Sequence, residues 1–231
     1  MGNAMPAPIS VIIPTLNAAH QLGATCDALL PGVTDGLVAE LVISDGGSSD
    51  QTREAARELG AVWVEGPKGR GAQIKRGIAA ASSDWVLILH ADTHLSDSWP
   101  IAARRHLHSA PEDAGWFQLR FRAKGLAPRV IAQGANLRSQ LFGLPYGDQG
   151  FLVARSVLDN LGGYPNLPLM EDVALAHAFK GRLRRLDACA LTSAQRYQRD
   201  GWARRSLANL GTLARYLAGA DPADLIKRYE A

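Results

Sequence analysis

Five stretches of this chain carry side chains whose types and spacing suit work on a phosphorylated ligand. Asp45 stands in Ser44-Asp45-Gly46-Gly47-Ser48-Ser49-Asp50. A carboxylate only accepts hydrogen bonds, so Asp45 suits the ring N–H of a nucleotide base, and the glycines after it allow close approach. Asp50 reads better as a helix cap. Lys68, Arg70 and Lys75 cluster around a glycine-rich loop, Gly66-Pro67-Lys68-Gly69-Arg70-Gly71-Ala72-Gln73, that leads into a helix. That is the composition of a phosphate cradle built from backbone N–H groups and a helix N-terminus. His90, Asp92 and His94 alternate, which puts them on one face if the strand before them continues. Imidazole and carboxylate together can hold Mn²⁺, a harder oxygen set suits Mg²⁺, and either ion would neutralise a diphosphate. Asp148 and Gln149 precede a strand, and Glu171-Asp172 opens a helix. Acids there complement the helix dipole, but beside a sugar nucleotide such a carboxylate can be a general base for a hydroxyl.

The elements that must position these residues alternate in type. Ile9–Ile13, 37–44, 61–65 and 85–89 read as short buried strands. Helices are predicted over 18–30, 51–59 and 73–82, the first ended by Pro31-Gly32. Four apolar strands separated by helices predict a Rossmann-like, mostly parallel central sheet flanked by helices. In such sheets ligands bind beyond the carboxyl ends of the strands, and all four of these ends are polar. The second half breaks the rhythm, with strands near 115–122, 150–154 and 183–191 and helices over 156–161 and 172–180. A helical tail over 202–218 places Leu207, Leu210, Leu213, Ala214 and Leu217 on one face.

Composition bounds the rest. The chain has 231 residues, 47% hydrophobic and 20% charged, which excludes a mainly disordered chain. The longest strongly apolar run, 86–89, is far below the roughly 20 residues of a membrane helix. Two cysteines, Cys26 and Cys189, make no disulfide or zinc pattern. With no signal-like opening, a cytoplasmic protein is expected. Residues 1–8 read as an N-terminal extension, followed by one domain over 9–231. Within it, 201–231 reads as a basic amphipathic tail. Neither a P-loop nor Gly-x-Gly-x-x-Gly follows the first strand.

Taken in order, these motifs resemble family 2 glycosyltransferases with the GT-A fold, over about residues 9–200. The resemblance rests on Val11-Ile12-Ile13-Pro14-Thr15-Leu16-Asn17, the Asp45 loop, Gly69-Arg70-Gly71-Ala72-Gln73, His90-Ala91-Asp92 and Glu171-Asp172. It implies that Pro14, Thr15, Leu16, Asn17 and Asp45 hold base and ribose, with Arg70 and Gln73 lining the nucleotide pocket. It places His90, Ala91 and Asp92 at the family's Asp-x-Asp motif, with Asp92 binding the divalent metal (Mn²⁺ or Mg²⁺) and His90 replacing the first Asp. It makes Asp172 the catalytic base with Glu171 beside it, and puts Asp148 and Gln149 on the acceptor side. It also implies a nucleotide-sugar half over 9–95 and an acceptor and catalytic half over 96–200. It implies an inverting, single displacement from a nucleoside-diphosphate sugar, a hexose donor for choice, to an acceptor hydroxyl. The His-Ala-Asp-Thr variant and the short chain resemble a compact bacterial subgroup associated with radical-SAM and selenium-domain proteins. The Gln-x-x-Arg-Trp signature of processive synthases is missing, with Gln198–Trp202 a distant echo, so transfer of one sugar is expected.

Two other functions compete. A sugar-nucleotide nucleotidyltransferase predicts a glycine-rich loop after the first strand, where Pro14-Thr15-Leu16-Asn17 stands instead. A nucleotide- or phosphate-binding module without turnover fits the altered metal motif. Charge adds a partner. Net charge is +3, but residues from Lys180 onward hold 11 Lys/Arg against 5 Asp/Glu. Arg184, Arg185, Arg196, Arg199, Arg204 and Arg205 would suit an anionic membrane surface or a phosphorylated acceptor. Basic residues without interleaved aromatics do not suggest nucleic acid.

Overall fold

A computed structural model of the chain describes residues 7–230, so most of the expected N-terminal extension lies outside the described residues. Its strands are β1 (Ile9–Thr15), β2 (Val38–Asp45), β3 (Val62–Glu65), β4 (Trp85–Ile88), β5 (His94–Leu95), β6 (Ala114–Phe121), β7 (Phe151–Ala154) and β8 (Leu183–Thr192). Its helices are α1 (Ala19–Asp27), α2 (Leu30–Thr34), α3 (Thr52–Glu58), α4 (Arg70–Ala80), α5 (Trp99–Ser109) and α6 (Leu126–Phe142). They continue with α7 (Arg155–Asn160), α8 (Glu171–Phe179), α9 (Gln195–Asp200), α10 (Trp202–Leu217) and α11 (Pro222–Glu230).

All the strands join one sheet in the order β3-β2-β1-β4-β7-β6-β8-β5. The four N-terminal strands are parallel, β6 and β8 are parallel, and β7 and β5 run against their neighbours. The mixed α/β sheet with a helical C-terminal tail is the architecture expected. Both faces of the central strands are buried, which is why they read as unbroken apolar runs. Val11, Ile13, Leu87 and Leu89 face one core, around Trp99 and Leu152. Ile12, Val86 and Ile88 face the other, around Phe151, Val173 and Phe179. The carboxyl ends of β1 to β4, the turn before β7 and the start of α8 therefore meet at one edge.

Three local expectations need correction. Pro31 does not end a helix over 18–30; it sits in the first turn of a second helix, α2, where its missing N–H costs nothing. Trp99 packs so closely on Gly32 that a Cβ there would lie 2.1 Å from its ring. The β4 strand ends at Ile88, and a turn closed by Thr93 N–H to His90 O (3.1 Å) follows, so His90, Asp92 and His94 do not share a strand face. Finally, the leucine face of the tail helix packs only through Leu213; Leu207, Leu210 and Leu217 are exposed.

Candidate active site

The β2 end is built around Asp45. Its Oδ1 accepts from Thr15 Oγ1 (2.8 Å) and Ser48 Oγ (2.6 Å), and its Oδ2 from the Gly47 and Ser48 amides (both 2.7 Å). Burial works against its charge, but the bonds from Ser48, Thr15 and Gly47 outweigh that and hold the carboxyl below its usual range. Asp45 therefore fixes its own loop first, and reading a base requires it to release one of these donors. Asn17, at φ 53°, locks the β1 end to the same loop: its N–H donates to Ser48 Oγ (2.7 Å) and its Oδ1 accepts from Ser49 N–H (2.9 Å). Pro14 and Leu16 flank this junction, and Leu16 is exposed. Asp50 accepts from the Thr52 amide (3.0 Å) at the start of α3 and the Ala19 amide (3.2 Å) of α1, the structural role expected of it.

Gln73 is buried, and its amide donates to Thr15 O (2.7 Å) and Ser44 O (3.0 Å) while accepting from Gly69 N–H (3.1 Å). It thus staples α4 across the ends of β1 and β2. Arg70, at the first turn of α4, forms an ion pair with Glu171 at the first turn of α8. Glu171 is 1% exposed, and its second oxygen has no partner among the described residues. Burial raises its carboxyl pKa, with Arg70 opposing and Asp172 adding to the rise.

Asp172 lies beside Glu171. Its Oδ2 accepts from Gly147 N–H (2.7 Å) and its Oδ1 from Val173 N–H (2.8 Å). Gly147 itself presses against His90: a Cβ there would lie 2.6 Å from His90 Nε2 and 3.5 Å from Asp172 Oδ2. The helix-opening acids and the turn after β4 are thereby adjacent, although they are far apart in sequence. Burial, then Arg70 and Arg196, push the His90 imidazole down to about 3, so it is neutral at physiological pH. Ala91 anchors this turn by accepting from Thr25 Oγ1 (2.5 Å), and Asp92 remains half-buried. His94 sits on β5 against β8, near enough to Asp92 to feel its charge.

The Gly147–Gln149 turn divides its two polar residues. Gln149 is fully enclosed and bonded to Ser139 Oγ (2.7 Å), the Tyr146 amide (3.2 Å) and Phe117 O (3.3 Å). Expected on the acceptor side, it instead positions the turn. Asp148 has a buried Oδ1 with no partner among the described residues. Burial pushes its carboxyl up to about 6, with Arg138 opposing and Asp172 and Asp92 adding. Tyr146 Oη and Glu171 Oε2 are also buried without partners, and such orphaned atoms at one edge are what a bound polar ligand would satisfy.

Sequence reasoning missed three contributors. Arg138 of α6 lies 3.5 Å over the Tyr146 ring, Met170 enters α8 at φ 63°, and Gly71 lets α4 approach the 165–167 segment. A Cβ at Gly71 would lie 2.6 Å from Leu167 O and 2.7 Å from Pro165 O. Because those atoms are backbone, Gly71→Ala should cost about 1–3 kcal/mol in urea unfolding, the usual range for overpacking.

A model of glycosyl transferase family 2 matches residues 10–147. Glucosyl-3-phosphoglycerate synthase of Mycobacterium tuberculosis is 34% identical over 93 residues, 36% of this chain and 28% of its own length. Succinoglycan biosynthesis protein ExoA of Rhizobium meliloti is 35% identical over 97 residues, 38% of this chain and 29% of its own. This chain thus covers under a third of either relative. Among solved structures, the mycobacterial synthase with Mn²⁺, UDP and glucosyl-3-phosphoglycerate superposes with a TM-score of 0.58 at 21% identity, over 88% of this chain and 78% of that one. S. aureus TarS with UDP-GlcNAc superposes with a TM-score of 0.61 at 17% identity, over 80% and 58%. At these identities the likeness carries the fold, which is of the GT-A type.

Proposed function

We propose that this chain, which belongs to glycosyl transferase family 2, moves one sugar from a nucleoside-diphosphate sugar to an acceptor hydroxyl with inversion. The observation that carries this reading is the Gly147 bridge, which brings Asp172 against the His90–Asp92 turn. Residues 9–95 supply the donor site: Pro14, Thr15, Leu16, Asn17 and Asp45 for the nucleoside, Arg70 and Gln73 for the pocket wall. Residues 96–200 supply the acceptor side, and 201–231 the tail. The acceptor oxygen attacks the anomeric carbon, the bond from that carbon to the diphosphate oxygen breaks, and the acceptor proton passes to a carboxylate oxygen of Asp172. Glu171 stays bound to Arg70 and fixes the start of α8. The relatives' names and ligands support UDP and a hexose as donor parts. The His90-Ala91-Asp92-Thr93 motif supports membership of the radical-SAM and selenium-domain-associated subgroup. In this reading the chain works in the cytoplasm.

No three His, Cys, Asp or Glu side chains among the described residues converge on a metal position. The donor set still fits Mg²⁺ or Mn²⁺, because such ions bind through one or two carboxylates plus substrate phosphates. Asp92 would hold the ion, and the unpartnered Asp148 Oδ1 is a second oxygen within its electrostatic reach. When bound, the ion supplies charge neutralisation at the diphosphate.

Thermal shift with UDP, GDP and dTDP, each with and without Mn²⁺, tests the donor site. A nucleotide at 100 times its Kd should stabilise the protein by about 2.7 kcal/mol. We expect the UDP shift to grow with Mn²⁺ and the increment to vanish in Asp92→Ala. No shift with any nucleotide would overturn the reading.

A further inference from the structure

Two helices turn apolar arcs to solvent. On α6, Leu126, Val130, Leu137 and Leu141 fall within about 60° of arc at roughly 100° per residue. On α10, Leu207, Leu210, Ala214 and Leu217 fall within about 80°. The large side chains among these run from 52% exposed at Leu217 to 77% at Leu126. The two helices pack beside one another. Neither contains an acidic residue: α6 carries Arg129 and Arg138, and α10 carries Arg204, Arg205 and Arg215. Of these Arg129, Arg204 and Arg215 are exposed, as are Arg122 and Lys124 just before α6.

The surface foreseen from the tail arginines does not form. Arg184 and Arg185 open β8, where Arg184 pairs with Asp113, whereas Arg196, Arg199 and Arg204 follow its far end, roughly 25 Å away at strand rise. Arg199 and Arg205 both pair with Asp200. The apolar arcs with their basic flanks are a separate feature. Isolated exposed leucines need no explanation, but apolar stripes on two helices whose own charged side chains are all cations have the composition of a helix that lies in a membrane interface. A two-fold pairing of copies through this face would set these cations against their own images, which costs energy.

We propose that the outward faces of α6 and α10 seat the protein on an anionic membrane surface. Both helices flank the acceptor side. The inner face of α6 holds Gln149 through Ser139, and Leu213 and Tyr216 of α10 pack on the core that includes Met170 and Val173 of α8. Docking through these helices therefore places the elements that carry Gln149 and Asp172 next to the lipid layer, a consequence that rests on the transferase reading. No helix among the described residues is long and apolar enough to cross a membrane, so contact of this kind is peripheral.

The test is flotation of the full chain with vesicles of pure phosphatidylcholine or of three parts phosphatidylcholine to one part phosphatidylglycerol. Leu137→Glu/Leu141→Glu and Leu207→Glu/Leu210→Glu are floated beside it, and all are sized by light scattering. We expect at least tenfold stronger binding to the anionic vesicles, weakened by salt and lost in both double variants, with the UDP shift retained. No binding to anionic vesicles at low salt overturns the proposal, as does binding that the glutamates leave unchanged. A dimer that the glutamates split, without vesicle binding, assigns the face to self-association instead. Vesicle binding without any nucleotide shift upholds the docking and overturns the transferase reading alone.

Discussion

Asp172→Asn should abolish sugar transfer while leaving nucleotide binding intact. The carboxylate is 7% exposed and accepts two backbone amides, from Gly147 (2.7 Å) and Val173 (2.8 Å). Those bonds aim it and leave it able to take a proton from a hydroxyl brought beside it. An asparagine of the same shape keeps one acceptor oxygen but turns an NH₂ toward the other amide, and it has no affinity for the proton. Removing a general base of this kind costs about 10²–10⁴-fold in rate. The effect belongs in kcat, because Asp45, Gln73 and the β1 end, which would hold the nucleoside, are untouched. Release of nucleoside diphosphate from the donor that stabilises the protein most would measure it, with the UDP thermal shift as the control for folding. Transfer at the wild-type rate would remove Asp172 from the mechanism. It would direct attention to Asp148, the nearby acid pushed up to about 6 by burial. A binding module without turnover predicts no transfer from either protein.

The sequence reveals what repeats locally and conceals what is assembled from a distance. Strands β1 to β4 are readable because each is a short apolar run closed by a polar loop, and both faces of each are buried. Helix α6 is not, because its packed face is built from Pro128, Ala132 and Ser139 while its large apolar side chains other than Ile131 are exposed, so the apolar period does not mark the buried face. Its usable marks are Gly125 before it, Pro128 in its first turn and the left-handed Gly143 after it. The same division holds at the site. Asp45, His90, Asp92, Glu171 and Asp172 stand out as polar residues at element ends. The Arg70–Glu171 pair spans 101 positions and leaves no local pattern. Gln149 misleads because a polar residue in a turn looks available, whereas here five hydrogen bonds from Ser139, Arg138 and Tyr146 and to Phe117 and Asn136 consume it.

Arg70→Met should destabilise the fold in a pH-dependent way. Glu171 is 1% exposed, and Arg70 is its partner in the only ion pair that links α4 to α8 among the described residues. Removing one member of a buried pair leaves an uncompensated charge, at about 3–5 kcal/mol. The Arg70 side chain is itself 36% exposed, so water reaches the pair and the lower end of that range applies. Burial already raises the Glu171 carboxyl above its ordinary 4.5, and loss of the opposing arginine charge raises it further. A carboxyl whose folded pKa lies above its unfolded value binds more protons in the native state. Its contribution is fully present below about 4.5 and is lost as pH rises through the folded value. Urea unfolding should therefore show a larger deficit for the variant at pH 8 than at pH 5. Adding Glu171→Gln should recover much of the loss at pH 8 and flatten the slope, since a neutral amide needs no countercharge. An equal deficit at both pH values, with no recovery in the double variant, would mean that Arg70 stabilises the protein through something other than Glu171. Because the pair fixes the helix that presents Asp172 against the helix that closes the donor site, the single variant should also lose transfer. The double variant then separates the two roles of Arg70: recovered stability without recovered activity leaves its guanidinium a direct task at the donor.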